Sequence, residues 1–242
     1  PYEQLLLELD PKNDADLIKI APLYEKLDDP KGRAAALERR LAVLTEPEQR
    51  LEVAESLVQL YEGRLVDAKA AVRVLDIVRE LDPENFDCVQ RLCELSEKLE
   101  DWARVAGFLG VLAEVEGYAD EVSKMIRRMA EILHEKVGKS DEALAALVEI
   151  ADRGDEPCRQ EYVTLGDKLG WKGVVATKLV EWYMEAPVGP PRNNALKGAF
   201  ERFVSVGREA DAAAVAKELA RTRGADADIA KQLEEIAVKL KD

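Results

Sequence analysis

Between Asp67 and Leu81 the apolar residues fall at Ala71, Val74, Leu75, Val78 and Leu81. Those positions share one face of an α-helix, because 3.6 residues make a turn. Asp82-Pro83 stops the pattern. Proline disfavours helical backbone in its predecessor and cannot donate the next hydrogen bond. Asn85 then caps a new helix carrying Val89, Leu92, Cys93, Leu95, Ser96 and Leu99. Asp101 caps another, with Val105, Phe108, Leu109 and Leu112 facing inward. No segment alternates with period 2 between hairpin signals, so strands are not expected.

The same pattern occurs earlier. LDPKN at 9–13 and LDPEN at 81–85 lie 72 residues apart. At that spacing Leu9 matches Leu81, Leu17 matches Val89, Ile20 matches Leu92, Ala21 matches Cys93, Leu27 matches Leu99 and Leu37 matches Leu109. Ala71 and Leu75 recur as Ala143 and Leu147 at 72 residues, whereas Leu60-Tyr61-Glu62 recurs as Leu133-His134-Glu135 at 73. Lys168-Leu169-Gly170-Trp171 echoes the stretch from Lys98 to Trp102. The pentapeptide is therefore the seam of a repeating unit. Each block holds two helix hairpins of about 36 residues.

Helices are predicted at 2–9, 14–27, 30–44, 46–63, 66–81, 86–99, 102–115, 119–137, 140–152, 156–169, 171–185, 193–206, 208–222 and 226–241. Thr45 to Glu48 reads as a capping box with Pro47 in the first turn, and Asp29-Pro30 marks another helix start. Gly138, Gly154 and Gly224 fall at helix ends. The stretch Ala186 to Pro191 is read as non-helical. YEQLLLELDP at 2–11 reads as the end of a second helix whose first half is missing, so the chain is expected to be a piece of a longer array.

This pattern resembles the tetratricopeptide repeat, a family of helix hairpins of about 34 residues. Ala71, Leu75, Val78 and Pro83 sit where that family has Ala, Phe, Ala and Pro. Tyr61 stands where its first helix carries a tyrosine. Val89, Leu92, Cys93 and Ser96 take the places of Trp, Leu, Gly and Tyr. The departures are the missing glycine, replaced by Cys93 or Ala130, and the extra residues that stretch two repeats to 72. The expected fold is all-α, an α-α superhelix: a right-handed solenoid of antiparallel helix hairpins. Stacking buries apolar faces that no hairpin can bury alone. The expected organisation is an array over 1–185 of about five hairpins, the first one partial. A Pro-rich connector at 186–192 and a hairpin with a capping helix at 193–242 complete it, ending on Lys239, Lys241 and Asp242.

Composition narrows the function. The formal net charge is −14, and the only basic doublets are Arg39-Arg40 and Arg127-Arg128. Such a surface repels a phosphate backbone, so nucleic acid is not an expected partner. No apolar run approaches membrane-spanning length, and no signal peptide is read. Cys88, Cys93 and Cys158 form no CxxC pair, which indicates neither a disulfide framework nor a zinc site. Cys93 falls on an apolar face. Cytoplasm is the default compartment from that cysteine usage, with the periplasm left open.

No catalytic constellation is present. His134 is the single histidine and is read as packing where Tyr61 packs in its own repeat. Phosphate-loop, dinucleotide, nucleophile-elbow and zincin motifs are missing, so no enzyme, cofactor or metal is expected. Glu94 and Glu97, and Asp152 and Asp155, are carboxylate pairs on solvated surfaces. Trp102 and Trp171 are placed at matching positions between hairpins, and Trp182 and Tyr183 are read as core, with an exposed ligand contact as the alternative.

The resemblance implies a scaffold that docks a partner protein or peptide in a concave groove lined by the first helices. Helical phase puts Gln59, Glu62, Gln90, Glu94, Glu97 and Glu131 on that groove, and the charge points to a partner with Lys or Arg residues. The alternative is a structural or regulatory segment of a larger protein with no ligand of its own.

Overall fold

The computed structural model describes residue 9 and residues 14–115, 119–222, 225 and 227–239. The helix predicted at 2–9, apart from residue 9, the cap at Gly224 and the charged end at Lys241 and Asp242 lie outside the described residues. Thirteen α-helices are described. They are α1 (Asp14–Lys26), α2 (Pro30–Val43), α3 (Pro47–Leu60), α4 (Ala68–Leu81), α5 (Phe86–Lys98), α6 (Trp102–Val115) and α7 (Ala119–Ile132). After them come α8 (Ser140–Asp152), α9 (Glu156–Lys168), α10 (Lys172–Tyr183), α11 (Pro190–Ser205), α12 (Glu209–Arg221) and α13 (Ala227–Lys239). Two π-helical turns, Tyr61–Leu65 and Leu133–Val137, extend α3 and α7.

The described residues fall into two compact units. One comprises Pro1–Met125 with Glu135–Val137, the other Ile126–His134 with Gly138–Asp242. In the first, α1 packs on α2, α3 on α4 and α5 on α6, with α2 against α3 and α4 against α5 joining the hairpins. In the second, each helix from α8 to α13 packs on the next. The helices run as sequential antiparallel pairs.

The pairs hold because each helix offers one apolar stripe. Leu17, Leu57, Leu75, Leu92, Leu147, Leu196, Phe200 and Leu219 are almost wholly buried. Burying each such side chain contributes roughly 1.5–3 kcal/mol. The predicted face of α4 is buried at Ala71, Val74, Leu75 and Val78, while Leu81, Leu99 and Leu112 at later turns are half-buried. All three cysteines are buried; Cys88 Sγ donates to the Leu75 carbonyl at 3.3 Å, and burial pushes its thiol up to about 11.

The helix starts read at Asp29 and Asn85 are capped by their side chains, and the structure adds caps at Asp67 and Asp155. In that order the four side chains accept from the N–H of Gly32 (2.9 Å), Cys88 (3.0 Å), Ala70 (3.0 Å) and Cys158 (2.8 Å). The capping box at Thr45 is a correction: Glu46 is the cap of α3 and makes no side-chain bond, so Pro47 alone sets the start. The Pro-rich stretch is another. Pro190 and Pro191 are helical, because proline fits the first turn of a helix, where its missing N–H would have had no partner. The irregular segment therefore ends at Gly189.

Four first helices end alike. Asp28, Glu100, Gly170 and Gly207 take left-handed backbone. In each the next N–H reaches back five residues: Asp29 to Tyr24 (3.0 Å), Asp101 to Ser96 (2.9 Å), Trp171 to Gly166 (2.8 Å) and Arg208 to Phe203 (2.9 Å). The π turns reach back six, from Asp67 N–H to the Tyr61 carbonyl (2.9 Å) and from Lys139 N–H to the Leu133 carbonyl (2.7 Å). These turns match at 72 residues, so Tyr61 corresponds to Leu133 and Glu62 to His134. The spacing of 73 is thereby corrected. His134 does not stand in the place of Tyr61; it is half-buried, and its Nδ1 shares a hydrogen bond of 2.9 Å with Ser140 Oγ. The tryptophans also part company. Trp171 is the N-cap of α10, equivalent to Asp101, and is 38% exposed, whereas Trp102 begins α6 under the Lys136 ammonium.

Candidate partner-binding site

The first unit builds a pocket of about 240 Å³ from the end of α3, the start of α4 and one face of α5. Its lining includes Glu62, Val66, Arg91, Glu94 and Lys98. Tyr61 anchors the π turn. It is buried, and its hydroxyl donates to Glu38 at 2.7 Å. Desolvation, and then the Glu38 carboxylate, push that phenol up to about 12. Glu38 also takes a hydrogen bond from Arg73. With Tyr61 held, Glu62 projects beside α5, and the Arg91 guanidinium binds both its oxygens, at 3.3 and 2.5 Å. Glu94 Oε1 accepts from the Gln90 amide at 3.3 Å, one turn away on α5.

Two of the six groove residues thus share this pocket, Glu62 and Glu94. Gln90 joins them through its bond to Glu94. Gln59 is exposed on α3, Glu97 is half-buried on α5, and Glu131 is exposed on α7 in the second unit. The pocket differs from the acidic surface read from the chain. Arg91 neutralises Glu62, and Lys98 stands beside Glu94, so its lining carries as many cations as carboxylates. The reason is local: α5 interleaves Arg91, Glu94 and Lys98 on one face, a detail that a net charge of −14 averages away.

The second unit holds a larger pocket, of about 540 Å³, which helical phase had not singled out. It is lined by α9 and α11, with Leu179 and Tyr183 of α10. Arg159 is fixed at its edge. Its Nε donates to the Ala151 carbonyl at 3.0 Å, and its guanidinium lies 5.3 Å from the Trp182 ring centre and 5.2 Å from that of Tyr183. Tyr183 is buried and its hydroxyl donates to Glu156. Trp182 is half-buried and donates to Asp152 at 2.6 Å. Arg202 closes the other end through Asp167, at 2.9 and 2.5 Å. The repeat offered a signal for this pocket: Gln90 recurs as Gln160, and Thr164 takes the place of Glu94, both in its lining.

Among the described residues no group of His, Cys, Asp and Glu is arranged to hold a metal ion. No described helix is long and apolar enough to cross a membrane.

No family model matches the sequence, and no curated protein matches it. Solved structures do resemble the fold. The structure of Naa15/Naa10 bound to HypK-THB is 14% identical with a TM-score of 0.51 over 98% of this chain. This chain spans only 36% of that one. A tetratricopeptide repeat protein from Parabacteroides merdae is 13% identical with a TM-score of 0.36, over 95% of this chain and 86% of its own. TTC0263, a thermophilic TPR protein in Thermus thermophilus, is 16% identical with a TM-score of 0.30, over 80% of this chain and 100% of its own. At such identity the likeness is one of fold. The chain is all-α and built from antiparallel helix hairpins.

Proposed function

We propose that the chain is a non-catalytic scaffold that docks a partner protein or peptide between consecutive first helices. The observation that carries this reading is the placing of the pockets. In each unit an open pocket lies between two first helices, α3 and α5 in the first, α9 and α11 in the second. A side chain entering there meets apolar and polar groups together, the composition of a ligand pocket. The overall charge of −14 favours a partner with Lys or Arg residues.

The test is an affinity capture with the wild-type chain beside the Glu94→Lys/Glu97→Lys variant at low and moderate salt. A partner retained by the wild type and lost in the variant supports groove docking. Identical capture by both would remove these acids from the site. No partner in either arm would favour a structural or regulatory segment without a ligand.

A further inference from the structure

The pocket of the first unit presents two charges that nothing in the described chain has claimed. Glu94 and Lys98 stand four residues apart on one face of α5, about 6 Å along its axis. Neither forms an ion pair among the described residues. The one hydrogen bond described for Glu94 comes from a neutral amide. The remaining two charges of the lining, Glu62 and Arg91, satisfy each other. The pocket therefore offers one anion and one cation at a set spacing.

Its rim adds a third feature. Val66 is 80% exposed, with φ of 50°, in the left-handed region. A β-branched residue is an outlier there. Gly138 takes the equivalent place after the second π turn, with φ of 77°. Strained residues persist where the surroundings impose them, and they cluster at ligand-binding sites. An exposed apolar side chain held against its backbone preference at a pocket rim is placed to be covered.

The geometry points to a docking site for an extended partner segment. One basic side chain meets Glu94, an acidic side chain two residues away meets Lys98, and an apolar side chain covers Val66. Same-face neighbours in an extended chain are about 6.5 Å apart, which matches the spacing of the two charges. A helix is about 10 Å across, whereas a pocket of about 240 Å³ has room for individual side chains rather than for a whole helix. The assignment rests on the scaffold reading above and replaces a plain preference for basic partners with recognition of a mixed pair.

Ten-residue acetylated, amidated peptides test it by fluorescence anisotropy with the 242-residue chain. Each carries one Val beside Lys-x-Glu, Lys-x-Lys, Glu-x-Glu or Ala-x-Ala. The Lys-x-Glu peptide is expected to bind tightest, with both like-charged peptides weaker by about fivefold. Glu94→Lys should turn the preference to Glu-x-Glu. Val66→Gly should weaken binding about threefold without loss of helical circular dichroism. Equal binding of all four peptides, or an order unchanged by Glu94→Lys, overturns the proposal. So does a failure of every peptide to bind. If a captured partner is still lost in Glu94→Lys/Glu97→Lys, the scaffold reading survives that failure; if capture is also empty, both readings fall together.

Discussion

Replacing Val66 with glycine should stabilise the protein although it removes a side chain. An L-residue in left-handed backbone carries about 1–2 kcal/mol of strain, and a β-branched one belongs at the upper end. Two terms oppose the gain. Glycine loses more backbone freedom on folding, roughly 0.7 kcal/mol. Val66 is 80% exposed, so its fifth of burial forfeits only about 0.4 kcal/mol. The net gain is about 1 kcal/mol, or roughly 2–4 °C in Tm for a chain of this size. Gly138 supplies the mirror experiment. A Cβ there would meet nothing within 4 Å, so Gly138→Val tests the backbone term with no clash at its Cβ and should cost about 1 kcal/mol. Calorimetry of both single variants and the pair reads the result. The reasoning is refuted if Val66→Gly lowers Tm, or if Gly138→Val leaves it unchanged.

Other substitutions probe other levels of the structure. Gly166→Ala would place its Cβ 2.4 Å from Val175 Cγ2 and should lose about 1–3 kcal/mol; Gly107→Ala, with nothing within 4 Å, should gain up to about 1 kcal/mol, and urea melts compare the two. Asn85→Ala removes the acceptor of the Cys88 N–H and should cost about 1 kcal/mol, seen as a lower urea midpoint. Hydrogen bonds from Arg221 and then from Arg192 hold the Glu218 carboxyl down at about 2, against a usual value of 4.5. Its contribution is therefore complete above pH 4.5 and is lost as pH falls toward 2, so the acid-side drop in Tm should be shallower in Glu218→Gln.

Helix positions were legible because each depends on a short local pattern. The stripe of Ala71, Val74, Leu75 and Val78, the stop at Asp82-Pro83 and the cap at Asn85 together define one seam. What escaped was backbone detail that composition does not encode. Pro190 and Pro191 read as breakers, yet a helix start is the one place that accepts them. The π turns were invisible, because Tyr61–Leu65 and Leu133–Val137 share no signature beyond their surroundings. The site was half legible. Helical phase found Glu62 and Glu94, but phase says nothing of which charges neutralise each other. The Arg91–Glu62 pair joins residues of different hairpins, and only the fold brings them together.

The π turns also decide how the pockets should be compared. A plain seam closes on the fifth residue back and a π seam on the sixth, and plain and π seams alternate from Asp28 to Gly170. Two hairpins, not one, are therefore the unit that repeats. In that register Gln59 corresponds to Glu131, Glu62 to His134 and Val66 to Gly138. One seam later the caps at Asn85 and Asp155 align Glu94 with Thr164 and Arg91 with Glu161. The strained valine, the Glu62–Arg91 pair and the carboxylate at Glu94 are thus all replaced together in the second copy. A residue kept only to hold hairpins together would be needed equally in both. Features that change as a group, on one pocket and at its rim, fit the docking site proposed above, and on that proposal the first unit and the second read different segments of a partner.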